Sequence, residues 1–313
     1  MRLNSRVAED SELPYKYLTV DVFTNQRFGG NPLAVVPDAR GLSAAQMQTL
    51  AREFNYSEST FVLPPEDSAN DARVRIFTPV QEMPFAGHPN VGTAFVLSTL
   101  SATAPRSLRF EEGAGLVPVT VEVQSDGGVY CELTAPQALF VGNPITDPDV
   151  RALLAQALSL DVGAISDENH APCVASVGLD FMMVEVSDLN ALAQVALQAE
   201  AWLRVEQSTG CHAVLAYTRR TDDERLDVRA RMFTIQTGVL EDPATGSANS
   251  ALAGLLATLD ERVNGTLTYS IAQGVEMGRS SLLNASADKR DGQVVAVRIG
   301  GTSVLVAEGL INV

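Results

Sequence analysis

One stretch of this chain occurs twice, which confines the fold to two similar halves that share an interface. Asp71, Arg73, Arg75, Phe77 and Thr78 in DARVRIFT recur as Asp227, Arg229, Arg231, Phe233 and Thr234 in DVRARMFT. A second pair follows directly. HPNVGTA at 88 to 94 matches DPATGSA at 242 to 248 in the pattern xPxxG(T/S)A. The two offsets differ by two residues, which reads as duplication followed by a small loop deletion. A site is expected where the halves meet.

The local physics of the repeat says what each copy is. Residue types alternate with period two, so both copies read as strands, with Val74 and Ile76 on one face and Arg73 and Arg75 on the other. A helix follows each strand. Pro89 and Pro243 suit the first helical position, which makes Asp242 an expected N-cap and His88 its counterpart. The runs AFVLSTL and ALAGLLATL are apolar nearly all round, the pattern of a helix wrapped by sheet. Two helix starts with unpaired N–H groups provide two anion sites, one per half.

The remaining elements fit a strand-rich chain. Tyr17 to Phe23 and Leu33 to Pro37 read as strands joined by the turn TNQRFGGNP, and Ser43 caps a helix AAQMQTLAREF. APQALFVGNP is a proline-bounded linker between similar sets of elements. In the second half, Phe181 to Val186 reads as a strand, Asp188 caps one helix LNALAQVALQAEAWL, and VVAVRIG and SVLVAEG read as two terminal strands. The expected class is α+β, with two pseudo-symmetric domains, each a curled, mostly antiparallel sheet around a central helix. The first half spans 15–135 with a C-terminal strand at about 300–313, and the second spans 136–299. Residues 1–14 form a polar extension.

Composition narrows the partners. A net charge of −16 argues against nucleic acid and anionic membrane surfaces. No apolar run has transmembrane length, and MRLNSRVAEDSEL lacks a signal-peptide core. Cys131, Cys173 and Cys211 are odd in number and far apart, which suits reduced thiols in a cytoplasm. Patterns for metal, thiol-redox, serine-hydrolase and nucleotide sites are absent from the sequence.

Three titratable residues stand out. Glu58 in NYSESTF, flanked by Ser57, Ser59 and Thr60 at the edge of an apolar run, has the setting for a raised pKa and proton exchange with a carbon or an enol. Taken alone it reads first as a solvated turn residue. His88 sits at a helix start whose dipole disfavours the imidazolium, although a merely capping histidine fits as well. Asp242 alone is an ordinary N-cap. Gly87, Gly246 and Ser247 offer N–H and hydroxyl donors for a carboxylate, or are simply small residues where helix meets sheet. Cys211 and His212 are neighbours on an expected strand and face opposite sides, so they are not a nucleophile–base pair.

DVFTNQRFGGNPLAVV, NYSESTFVL, FTPVQEMPFAGHPNVGTA, GVLEDPATGSA and QGVEMGRSS, in this order and spacing, resemble the phenazine-biosynthesis PhzF family of isomerases from about Tyr17 to Val313. The resemblance implies the diaminopimelate epimerase-like fold, an active site between the halves, no cofactor and a homodimer. It implies Glu58 as general acid/base, with His88, Asp242, Ser247, Gly87 and Gly246 holding or polarising the substrate and Ser57 beside them. The related epimerases use two opposed thiols at the helix starts. FAGHPNVG and LEDPATG contain no cysteine, which opposes that mechanism. Asn90 stands where the family usually has a small or hydroxylated residue, a change expected to alter the pocket.

The expected function is a cofactor-independent proton-transfer isomerase acting on a small carboxylate. An epimerase or racemase using Glu58 with Asp242 or His88 as opposed bases is the alternative within enzymes. A non-catalytic carboxylate binder is the alternative outside them.

Overall fold

A computed structural model describes residues 14–101, 106–236 and 238–313. The polar extension expected over residues 1–14 lies, except for Pro14, outside the described residues. Six α-helices and seventeen strands are present among the described residues. The α+β class read from the sequence holds.

Eight strands of the first half close on themselves. Tyr15–Val22 pairs with Asn31–Val36, which runs parallel to Glu58–Leu63, itself antiparallel to Ala72–Phe77. The ladder continues through Ser107–Glu112, Gly115–Val123 and Val129–Thr134 to Gln293–Ile311, which returns to Tyr15–Val22. Inside this ring lies α2, Gly87–Leu100, buried along most of its length. The second half repeats the arrangement as an open curl. It runs from Phe140–Val141 through Cys173–Ser176, Asp180–Glu185, Ala213–Thr218, Val228–Thr234, Gly265–Gln273 and Ser281–Arg290 to Gln293–Ile311. Around α6, Gly246–Leu259, it packs Ile271, Leu283, Ala285 and Val297. Some polar side chains inside these helices are paired, as where Thr93 meets Thr60 at 2.8 Å and Ser250 donates to the Gly246 carbonyl.

The remaining helices cover the outer faces. Ser43 and Gln46 form a capping box that starts α1, Ala44–Phe54, whose Met47 and Leu50 pack on Val36, Phe61 and Phe77. On the other half, α3 (Pro148–Ala157), α4 (Leu189–Gln194) and α5 (Ala199–Thr209) bury Trp202, Leu154 and Leu192 against Met182 and Val184.

Several sequence expectations need correction. The helix read over LNALAQVALQAEAWL is broken at Val195–Gln198, where Arg231 donates to the carbonyls of Leu192, Ala193 and Val195. A buried guanidinium satisfies the carbonyls that a continuous helix would have used. Helix α3, capped by Asp147 with Pro148 in its first turn, escaped the sequence reading. The two expected terminal strands are one strand, Gln293–Ile311. Side chains at Gly300 and Gly301 would strike Tyr130 and Phe23, so these glycines let the strand run on unbroken past closely packed neighbours.

The repeat itself has a different register after its strands. Arg75 pairs with Glu82, and Arg231 pairs with Glu241 in the same bidentate way. Asn90 donates to the Ala86 carbonyl, as Asn249 does to that of Thr245. MPFAGHPN therefore superposes on DPATGSAN, so that Pro84 matches Pro243, Gly87 matches Gly246 and His88 matches Ser247. The loop from Thr234 to Glu241 is three residues longer than that from Thr78 to Glu82, an insertion where a deletion was expected. His88 and Asp242 are consequently not symmetry mates. Nor is either an N-cap: Ala86 and Thr245 hold those positions, with Pro89 inside the first turn of α2 and Pro243 ahead of α6.

Candidate active site

The starts of α2 and α6 meet head to head between the halves. A Cβ on Gly87 would lie 2.8 Å from Gly246 Cα and 3.0 Å from Ser247 N, so glycine is required for the approach. Their first-turn N–H groups and both positive dipole ends converge on one cavity of about 390 Å³. Ser57, Glu58, Gly87, His88, Asp242, Gly246 and Ser247 all line it. Met83, Leu179, Phe181 and Met232 supply apolar walls, and the lining among the described residues contains no Lys or Arg. Positive potential for a carboxylate therefore comes from the helix starts.

Glu58 opens its strand just after the left-handed Asn55 that ends α1, and its backbone is fixed in register with Leu33. Asp242 lies in the short strand Glu241–Asp242, paired to Met232. Three donors converge on the Asp242 carboxylate: Ser57 Oγ at 2.8 Å, Asn31 Nδ2 at 2.8 Å and Thr245 Oγ1 at 2.6 Å. No such donors reach Glu58, whose Oε2 is 3.4 Å from His88 Nδ1.

This asymmetry decides where the proton sits. Burial and then the charge of Asp242 push Glu58 well above the ordinary carboxylate range. Burial also raises Asp242, but its bonds from Thr245, Ser57 and Asn31 oppose the rise. The charge resides on Asp242 and the proton on Glu58. Burial pushes His88 down to about 3, so its imidazole is neutral, as expected, with burial the principal cause. Asn31 Nδ2 also donates to the Ala244 carbonyl, so its two hydrogens serve Asp242 and Ala244, and its shared contact with His88 Nδ1 at 3.2 Å presents N–H groups and no acceptor to that ring nitrogen. The ring proton is then on Nε2, which is buried without a protein partner.

Asn31, Thr245 and Gln273 belong to this arrangement and were not singled out by sequence reasoning. Asn31 is the third of four successive turn formers, Gly29 to Pro32, and read as a turn residue. Arg279 of QGVEMGRSS fixes that turn, donating to Asp21 at 2.6 Å and to the carbonyls of Gly29 and Gly30. His212 lines the cavity and meets Glu206 at 2.7 Å, while Cys211 is buried, so the two do face apart. Asn90 turns back to its own helix start and does not line the cavity, contrary to its expected effect on the pocket. All three cysteines are buried, with their thiols pushed up by burial, and none lines the cavity.

Comparison with known proteins agrees with this architecture. Residues 20–309 match the profile of the phenazine biosynthesis-like (PhzC-PhzF) proteins. The chain belongs to that family. It is 38% identical over 298 residues to an uncharacterized isomerase of Mesorhizobium japonicum, covering 94% of this chain and 97% of that one. It is 36% identical to the trans-2,3-dihydro-3-hydroxyanthranilate isomerase of Pseudomonas fluorescens, covering 95% and 99%. The crystal structure of a PhzF-family protein of Bacillus anthracis superposes with a TM-score of 0.87 at 25% identity, covering 96% of this chain and all of that one. A hydroxyproline epimerase of Agrobacterium vitis shares the fold, with a TM-score of 0.62 at 17% identity over 95% of this chain and 90% of that one.

Proposed function

We propose that this isomerase takes a proton from one carbon of a small carboxylate substrate and returns it to another, with Glu58 as the only proton carrier and no cofactor. The observation that carries the reading is the buried Glu58–Asp242 pair, in which three donors hold the charge on Asp242 and leave the proton on Glu58. A carboxyl of raised proton affinity is an effective base when ionised and a ready acid when protonated. The substrate carboxylate is held by the N–H groups at Gly87, His88, Gly246 and Ser247. Its charge and the apolar walls place the reacting carbons against Glu58. Glu58 enters the cycle ionised, its resting proton passing to solvent, so that removal of a substrate proton protonates Glu58 and sends negative charge towards the bound carboxylate, where both helix dipoles and His88 Nε2–H stabilise it. Delivery of a proton from Glu58, exchanged with solvent while the carboxyl holds it, to a second carbon shifts the double bond and leaves Glu58 ionised again.

Trans-2,3-dihydro-3-hydroxyanthranilate, named for the Pseudomonas relative, is the first substrate to test. Incubation in deuterium oxide followed by NMR should place deuterium on one carbon with a displaced double bond. Glu58→Gln should lower that rate by about 10²- to 10⁴-fold, and a loss below about tenfold refutes the assignment. Exchange of one alpha proton with no shift of a double bond would identify an epimerase instead. Tight carboxylate binding with no exchange would identify a binding protein. A cytoplasmic homodimer belongs to the same proposal, and sedimentation of the purified chain tests the dimer.

A further inference from the structure

The two halves differ at one buried position behind the helix starts. In the second half, Gln273 braces the approach to α6. Its Oε1 accepts from Thr245 N at 3.1 Å and Asn249 Nδ2 at 2.6 Å, and its Nε2 donates to the Asp242 carbonyl at 2.7 Å. Strand register gives its counterpart: Ala72 faces Phe110 where Val228 faces Ile271, so Glu112 stands where Gln273 stands. The next residue agrees. A Cβ on Gly113 would lie 3.0 Å from Pro84, and one on Gly274 would lie 2.5 Å from Pro243, the matching proline.

Among the described residues no cation pairs with Glu112. Both its carboxyl oxygens are buried without a well-formed hydrogen bond, as is Asn90 Oδ1, although the carboxyl lies against the Asn90 amide. The charged groups on the neighbouring elements are engaged elsewhere or line a groove that Glu66, Arg73, Arg109 and Glu112 itself border. Arg73 pairs with Glu66, Arg75 with Glu82, and Glu111 accepts from Glu66 N, Asp67 N and Asn70. Arg109, on the same strand as Glu112, lines the groove, and His88 on α2 is neutral. Burial pushes Glu112 up to about 8, with the Asn90 side chain opposing. A carboxylate can only accept from an amide, whereas a carboxylic acid can also donate to its oxygen.

We propose that Glu112 is a carboxylic acid standing in for the amide of Gln273, that it pairs with both ends of the Asn90 side chain to brace the first turn of α2, and that its ionisation loosens Gly87 and His88. The helix start in the first half thus carries a proton-dependent brace, while that in the second half carries a permanent one. Glu112 is a positioning residue. It touches no substrate and acts through Asn90 and Ala86.

The test compares the full-length wild type with Glu112→Gln and Glu112→Ala, all labelled with ¹³C at glutamate carboxyls. In the wild type, one carboxyl resonance should titrate well above the ordinary glutamate range and vanish in Glu112→Gln. A second high resonance, assigned with Glu58→Gln, belongs to the catalytic pair. The folded state binds the Glu112 proton from the ordinary glutamate range up to about 8, so the wild-type melting temperature should fall as pH rises through that window and level off above it. Glu112→Gln should lose that part of the slope and keep exchange activity within about twofold at neutral pH, with no alkaline decline from this source. Glu112→Ala should be impaired at every pH. A Glu112 resonance already ionised at neutral pH, or a Glu112→Gln as impaired as Glu112→Ala, overturns the proposal. The proposal rests on the reading of the α2 start as part of the site, yet titration and melting decide it even if no substrate turns over.

Discussion

Replacing Gly87 with alanine tests whether the meeting of two helix starts builds the site. The added Cβ would sit 2.8 Å from Gly246 Cα and 3.0 Å from Gly246 C and Ser247 N, all backbone atoms with no rotamer to change. Ordinary contact begins near 3.4 Å, so the helix starts must part by roughly 0.6 Å (3.4 less 2.8 Å). Overpacking of this kind costs about 1–3 kcal/mol. Because a misplacement of about 1 Å in a reacting geometry costs about 10²-fold, the separation should lower the rate by roughly 10- to 100-fold. Gly246→Ala meets its nearest atom at 3.1 Å, half the shortfall, and should be milder in both respects. Solvent deuterium exchange into a turned-over substrate gives the rate, and urea unfolding gives the stability. A Gly87→Ala variant that exchanges at the wild-type rate, or is less impaired than Gly246→Ala, refutes the idea that contact between the helix starts sets the geometry.

Asn31→Leu should destabilise the fold by about 1–3 kcal/mol, because it leaves a buried Asp242 oxygen and the Ala244 carbonyl each short of a donor. ¹⁵N NMR of His88 should show a single Nε2–H tautomer in the wild type and a mixture in that variant; a mixture already present in the wild type refutes the role given to Asn31. His88 supplies an acid-side slope. The unfolded chain binds its proton below about 6.5 while the folded chain holds the ring neutral down to about 3, so stability is complete above that window and declines as pH falls through it. The loss over the whole window is on the order of 5 kcal/mol. Urea unfolding between pH 7 and 4 should show this slope for the wild type and a flatter one for His88→Gln, and equal slopes would exclude it.

Much of this molecule is legible from periodicity and punctuation. Ser43 and the helix after it, the buried runs that became α2 and α6, and the alternating repeat strands all follow from local patterns whose period matches their surroundings. The residues around the cavity were also visible as a set, because the duplicated segment directs attention to Gly87, His88, Asp242 and Gly246. The register between the copies was not legible. HPNVGTA and DPATGSA share letters, but the spatial match is fixed by Arg–Glu pairs and Asn caps that form only after folding. Asn31 was hidden because a turn former and an amide that ties Asp242 to His88 look alike in sequence. Its three contacts reach residues 57, 211 and 213 positions away. The unequal proton affinities of Glu58 and Asp242 depend on which carboxylate collects donors, a property of geometry alone.

The single strand Gln293–Ile311 bears on how the chain is made. The ring around α2 needs residues 303–305 and 307–311 to join Tyr15–Val22, pairing the first described strand with the last described one. A nascent chain emerging from a ribosome therefore holds most of the first half in hand, yet lacks the stave that shuts it until the whole second half and the residues up to Ile311 have followed. Until then the exposed edges of Tyr15–Val22 and Val129–Thr134 are unpaired and open to wrong partners. The N-terminal half, although translated first, is the last to be sealed.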